Sequence, residues 1–251
     1  MEATRQNESL PIWWMWWRGV GGGRVTTTTA RVGSRVVSNC CDPAPYRRFF
    51  NRKEAERHAR GYRRKGLDPM ASSMVQYLVS RGVEAADVLD VGGGVGAIQL
   101  ELLKAGAAKS VNVELSSGYE EAAQRLAEEE GFEDRITRQL GDFVEHQHEF
   151  EPADIVVMNR VVCCYPWMER MMEAAVGKAT QYLALTFPRE KWWMEFGMWS
   201  VNAYMGLRKC DFRAFVHPVA DIESVATSAG FVVCHTDNNF AWQAVVFERA
   251  A

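Results

Sequence analysis

The run Asp87-Val88-Leu89-Asp90-Val91, followed at once by Gly92-Gly93-Gly94-Val95-Gly96, constrains this chain more than any other feature. A short run rich in β-branched residues makes a buried strand, and the glycines let the backbone turn sharply into the helix predicted through Leu103 and closed by Gly106. Strand, glycine turn and helix in that order place unpaired N–H groups and the positive end of a helix dipole beside whatever binds there. The rhythm continues downstream. Further strands are predicted at Ser110–Glu114, Arg135–Leu140, Asp154–Met158 and Tyr182–Phe187, with a helix from about Gly118 to Glu130. A helix near Asp221–Ala229 then precedes strands Phe231–His235 and Ala241–Glu248, which read as an antiparallel hairpin joined across Asp237-Asn238-Asn239. An α/β fold on a mostly parallel sheet follows.

Flanking segments differ in kind. Residues 1–38, with Trp13-Trp14-Met15-Trp16-Trp17, a Gly21–Gly23 run and four threonines at 26–29, read as a low-complexity, disordered extension outside the fold. Residues 39–82 read as an N-terminal helical lid: one amphipathic, basic helix from Asp42-Pro43 to about Lys65, then a second from Pro69 to Arg81. The domain proper runs over 83–251, interrupted by an aromatic and methionine-rich insertion at about 188–218 that is longer than a connection needs.

Charge is unevenly divided. Residues 1–66 hold 14 Lys+Arg against 5 Asp+Glu, which leaves 15 against 27 of the chain's totals of 29 and 32. A basic front and an acidic body could attract an anionic small molecule or nucleic acid, and charge alone does not choose. With no long apolar span, no signal-peptide pattern and six cysteines at spacings unlike a disulfide scaffold, the expectation is a cytoplasmic protein with reduced thiols and no membrane span.

The turn alone does not identify its ligand, because Gly92, Gly94 and Ala97 also satisfy the looser dinucleotide pattern. Three acids narrow the choice. Asp90 stands where a carboxylate would repel a pyrophosphate but hold an ammonium group, directly or through water. Glu114 ends the second strand, at the spacing where an acid accepts from both ribose hydroxyls. Asp142, with the adjacent Phe143, follows the third strand, where an adenine amino group and ring face could be held. Together they describe a nucleoside that carries an amino acid.

Over about residues 70–251 the chain thereby resembles the class I S-adenosylmethionine-dependent methyltransferases. Val88–Gly96 is similar to their glycine motif, Val113-Glu114-Leu115-Ser116 to the acidic end of their second strand, and Gly141-Asp142-Phe143 to their adenine motif. The resemblance implies a Rossmann-like seven-stranded sheet of order 3-2-1-4-5-7-6 with strand 7 antiparallel. It implies S-adenosyl-L-methionine as cofactor, held by Asp90, Gly92, Gly94, Gly96, Glu114, Leu115, Asp142, Phe143 and Asn159.

The segment after strand four, Asn159-Arg160-Val161-Val162-Cys163-Cys164-Tyr165-Pro166, should face the methyl acceptor. It lacks the Asn/Asp-Pro-Pro-Tyr/Phe sequence that clasps a base amino group. Its Val161–Pro166 stretch resembles the matching loop of magnesium-protoporphyrin O-methyltransferases, with Cys164 where those carry histidine. An apolar, anionic small-molecule acceptor is expected, methylated on oxygen or nitrogen, with Arg189, Arg208 or Arg213 available for its carboxylate. Tyr165, His217 and Tyr62 are the candidate catalytic residues, Arg63 and Arg64 the lid's other site-facing ones. His58 and His235 read as structural, and His146 and His148 as surface residues. No metal is expected, although Cys40, Cys41, Cys163, Cys164 and Cys210 converging above the sheet could bind a soft metalloid. The rival readings are an RNA methyltransferase, a non-catalytic S-adenosylmethionine-binding partner protein, and a dinucleotide oxidoreductase. Nucleic acid is not the expected partner, and the sequence leaves oligomeric state open.

Overall fold

The computed structural model describes Tyr46 and residues 49–210 and 212–250. The expectations for residues 1–38 and for Cys40 and Cys41 lie outside the described residues. Helices α1 (Arg52–Lys65) and α2 (Pro69–Arg81) come first, and β1 (Asp87–Val91), α3 (Ala97–Lys104), β2 (Lys109–Glu114), α4 (Glu120–Glu130) and β3 (Ile136–Leu140) follow. Then come β4 (Ala153–Asn159), α5 (Met168–Lys178), β5 (Ala179–Pro188), α6 (Trp192–Leu207), α7 (Val219–Ser228), β6 (Phe231–Asn238) and β7 (Trp242–Arg249). The seven strands form one sheet of order β3-β2-β1-β4-β5-β7-β6, with β7 antiparallel to both neighbours. Among the described residues no helix is long and apolar enough to cross a membrane.

Alternation along the strands sorts side chains to two faces. Leu89, Val91, Val156, Met158, Leu183 and Leu185 pack with Met168, Met172 and Ile222 of α5 and α7. Val88, Ile155, Val157 and Ala184 pack instead with Met74, Leu78, Ile98 and Leu102 of α2 and α3. Asp90 falls on the same side as Val88, a carboxylate in an otherwise apolar row. Strand β5 outruns its expected span at both ends, because Ala179 pairs with Ala153 of β4 and the antiparallel ladder with β7 extends to Pro188↔Trp242, where a terminal proline costs no ladder donor.

The first helix expected of the N-terminal segment does not run unbroken from 42 to 65. Its described helix starts at Arg52, with Asn51 in extended backbone and its side chain accepting from Lys53 N and Glu54 N, a cap residue's work. A crossing chain forces the break there: the Ser116 hydroxyl donates to Phe50 O, and a Cβ on Gly118 would lie 2.9 Å from Arg52 N. From Asn51 onward Ala55, Ala59 and Tyr62 pack on Val95, Tyr119, Ala122 and Leu126. The basic face of α1 lies against acidic α4: Arg52 pairs with Glu121, Arg63 with Glu129, and Arg125 returns to Glu56. Two basic side chains of α1 are thus answered inside the fold.

Candidate active site

At the carboxyl ends of β1, β2 and β4 a cavity of about 700 Å³ opens between the glycine turn, α1, α6 and the loop after β4. The turn itself needs glycine. Gly92 and Gly94 have φ of +62° and +56°, and Gly92 N donates to Val113 O at 2.7 Å. A Cβ on Gly92 would stand 2.6 Å from Val161, and one on Gly93 2.3 Å from Asn112 Nδ2 and 2.4 Å from Asp90 Oδ2.

Under the turn lies a polar row that crosses three strands. Register pairs Asp90 with Asn112 and Asn112 with Arg138. Asp90 and Asn112 are fully buried, and no oxygen or nitrogen of either side chain has a hydrogen-bond partner. Arg138 donates to Gly94 O at 3.2 Å and to Glu120 Oε1 at 2.8 Å. Burial pushes the Asp90 carboxyl up to about 7 against the pull of Arg138. Asp90 therefore sits beneath the turn, not on the cavity surface. Gly96 is off the surface too, as the left-handed cap of α3.

The other expected cofactor residues line the cavity. Glu114 accepts from Gly94 N and Ser116 N, both at 2.9 Å; burial raises its pKa while those N–H groups lower it. Asp142 accepts from Val144 N at 2.8 Å and is raised by burial. Phe143 is buried beside it, its ring centroid 5.7 Å from that of Phe150. The side-chain oxygen of Asn159 accepts from the Thr186 hydroxyl. Leu115 lies on the wall between Glu114 and Ser116. The cavity thus sets a glycine turn over the buried Asp90 beside a second carboxylate, Glu114, on its wall.

Of the expected catalytic residues, Tyr165 and Tyr62 reach the cavity and His217 does not. His217 Nε2 lies 3.1 and 3.0 Å from Val162 O and Tyr165 O, so the imidazole donates to the loop backbone and fixes it. The Tyr62 hydroxyl donates a hydrogen bond to Glu101 and accepts one from Lys104 at 3.0 Å. Burial and Glu101 hold it up at about 12, a phenol at any ordinary pH. Arg63 turns away from the cavity to Glu129, and Arg64 is exposed and off the wall.

His58, expected to be structural, also lines the cavity with Arg57, Gly61 and Tyr62. Its Nδ1 lies 3.1 Å from the Tyr119 hydroxyl, and burial, with Arg57, lowers its pKa. The signal was available: His58 and Tyr62 are four residues apart, on one helix face. His235, by contrast, does stack on Tyr77 and contacts Ser73, and His146 pairs with Glu149 at the surface.

The insertion supplies the apolar wall. Met198 and Val201 of α6, then Phe212 and Ala214, face the cavity. Phe212 stacks on Phe49 at 4.7 Å and meets Tyr46 edge-on at 5.5 Å. Helix α6 has no buried residue, and Trp192, Phe196 and Trp199 are exposed. The arginines expected for a carboxylate are engaged elsewhere: Arg189 with Asn239 O, Arg213 with Cys210 O, Arg208 over the Tyr204 ring. Arg57 and Arg160 are the arginines on the wall. Cys163 and Cys164 also line it, their sulfurs 3.8 Å apart, with Cys210 packed near Cys164. No group of three His, Cys, Asp or Glu suited to a metal ion occurs among the described residues.

Known proteins share this architecture. Residues 88–184 match the family model of the methyltransferase domain. The seven-stranded sheet has the fold of the class I, S-adenosylmethionine-dependent methyltransferases. It is 33% identical over 94 residues to ribosomal protein L11 methyltransferase of Escherichia coli (strain 55989 / EAEC), across 38% of this chain and 31% of that protein. The chain thus spans about a third of the length of the curated relatives it matches. Magnesium protoporphyrin IX methyltransferase from Synechocystis PCC 6803, solved with bound S-adenosylhomocysteine, superposes with TM-score 0.65 at 21% identity, over 83% of this chain and all of that one. An O-methyltransferase family protein from Burkholderia thailandensis gives 0.63 at 16%, over 80% and 60%.

Proposed function

We propose that this protein transfers a methyl group from S-adenosylmethionine to an oxygen or nitrogen of an apolar, anionic small molecule. One observation carries the reading: a single cavity joins a glycine turn flanked by carboxylates to a wall of aromatic and methionine side chains. S-adenosylmethionine, when bound, supplies a sulfonium methyl group open to in-line displacement. Asp90, acting from below Gly93, would hold the amino-acid end with Gly92 and Gly94; Gly96 caps α3 beneath them. Glu114 would take the ribose, Leu115, Asp142 and Phe143 the adenine, and Asn159 the rim near the acceptor.

The rest is orientation and exclusion of water. Tyr165 is the residue proposed to orient the acceptor, and His217 is a positioning residue that acts through the loop carrying it. Tyr62 serves as wall, its proton already committed. His58, its pKa lowered by burial and Arg57, is a group on the wall able to take a proton from a protonated acceptor. Free thiols at Cys163 and Cys164 accord with the reducing cytoplasm. Against the RNA reading, two basic side chains of α1, Arg52 and Arg63, are paired with α4. The likeness to the L11 enzyme covers only 94 residues, too short a match to bear on the acceptor.

Calorimetric titration of S-adenosylhomocysteine and NADH into the full chain, Glu114→Gln and Asp90→Asn tests this. Micromolar S-adenosylhomocysteine binding, weakened at least tenfold by each substitution, is expected. Preference for NADH would overturn the proposal, and binding without turnover of any acceptor would leave the partner-protein reading.

A further inference from the structure

We propose that Arg160 is the anion anchor of the cavity and that the acceptor it selects is an apolar carboxylic acid. The inference rests on the methyl-transfer reading and makes its acceptor half specific.

Arg160 follows β4 in left-handed backbone, φ +60°, a conformation that non-glycine residues keep only where surroundings enforce it, often at ligand clamps. Here both sides of the residue are enforced. Its N–H donates to Thr186 O and Thr186 Oγ1, each at 3.0 Å. Its carbonyl accepts from the Cys163 and Cys164 thiols at 3.4 and 3.6 Å. The side chain therefore starts from a fixed point.

The guanidinium lies over the Trp242 ring, 4.5 Å from its centroid, and pairs with Asp68 Oδ1 at 3.3 Å. All three residues line the cavity. The cation–π contact with the indole holds the guanidinium at the ring and leaves N–H donors for a planar, bidentate oxyanion. Among the described residues no hydrogen bond saturates them, in contrast to Arg138, which donates to Gly94 and Glu120. Arg57, the other arginine on the wall, is paired with Glu54 of its own helix and is more exposed.

Asp68 can release Arg160 without being stranded, because the same Oδ1 caps α2 by accepting from Met70 N and Ala71 N. A ligand carboxylate can thus exchange for Asp68 at the guanidinium. Met198, Val201 and Phe212 elsewhere on the wall offer nothing to a second charge and suit an apolar body.

The test uses the full chain saturated with S-adenosylhomocysteine. Calorimetry compares 2-naphthoate with 2-naphthamide, and 1-pyrenebutyrate with its amide, so that one pair is not defeated by size. Expected is a preference for carboxylate over amide on the order of tenfold in the native chain, erased in Arg160→Met and partly restored in Arg160→Lys. Asp68→Asn keeps the cap but removes the competing charge, so carboxylate affinity should rise severalfold with amide affinity unchanged. A merely structural Arg160 would not produce that opposite response. Equal binding of acid and amide, binding of neither, or a preference that survives Arg160→Met would overturn the proposal. Absence of S-adenosylhomocysteine binding would instead sink the methyl-transfer reading, and the acid-to-amide ratio can still be measured without it.

Discussion

The two ends of the cavity are built by different means. At the strand ends the backbone itself is the binding surface, and side chains crowd it so closely that Gly93 has no room for a Cβ. On the cap, α6 buries none of its residues, and Gly197 in its middle has nothing within 4 Å. One end is specified by steric exclusion and cross-strand register, the other by an inventory of apolar and charged side chains on loosely packed helix. Constraint of the first kind fixes what binds.

Gly93→Ala should show the largest effect, since its methyl group enters the space of the buried Asp90 and Asn112 side chains. We expect about 3 kcal/mol of destabilisation from overpacking and loss of S-adenosylhomocysteine binding by calorimetry. A variant that melted normally and bound normally would mean that the turn is not set on the polar row. Phe212→Ala tests the opposite wall. Phe212 is buried against Phe49, Phe50 and Tyr46, so urea unfolding should register a loss of about 3 kcal/mol, with S-adenosylhomocysteine affinity held within about twofold. Equal damage to cofactor binding would join the two ends into one unit.

The same contrast decides what the sequence could disclose. Strands were legible because short β-branched runs between helix-length segments have few other solutions, and the acids at 90, 114 and 142 could be placed by their distance from strand ends. The polar row was legible in principle, since aligning β1, β2 and β3 brings Asp90, Asn112 and Arg138 into one line. Arg160 was not. Its role depends on a left-handed backbone, on Thr186 from β5 and on Trp242 from β7, none of them a neighbour in sequence. His217 was misplaced for the same reason: its partners are backbone carbonyls more than fifty residues away, and backbone partners leave no mark on composition. The helix break at Asn51 arises from a crossing loop at 116–118, which helical periodicity cannot sense.

A smaller effect, and one with a sign, comes from Asp90. The folded chain keeps its proton up to about pH 7, whereas the unfolded carboxyl releases it near 3.8. Between those limits the folded state binds more protons, so this group's contribution is full below about pH 4, is lost as pH rises to 7, and is level above. Asp90→Asn should remove that slope and make the ligand-free protein about 2 kcal/mol more stable at pH 8, while weakening S-adenosylhomocysteine binding. Thermal melts from pH 4 to 8 read both parts. A steeper slope in the variant would show that Asp90 is stabilised as an anion, and would remove it as a carboxylate held in reserve for a cation.

Gly197→Ala is the mildest change and asks whether the cap's openness is structural or functional. Gly197 lies in the interior of α6 with open space around it, so alanine should gain helix propensity at no steric cost. The expected gain is about 0.5–1 kcal/mol in urea unfolding. Cofactor binding should not move, because no residue of α6 belongs to the glycine turn or its acids. Binding of 2-naphthoate is the informative readout, since Met198 and Val201 on the same helix line the acceptor wall. Unchanged stability with slower probe exchange would mean that α6 opens as a unit to admit the acceptor, and that its glycine is there to let it. A plain gain in stability with unchanged binding would mean that the helix is already set and that selection at this end lies with Arg160 and the aromatic wall.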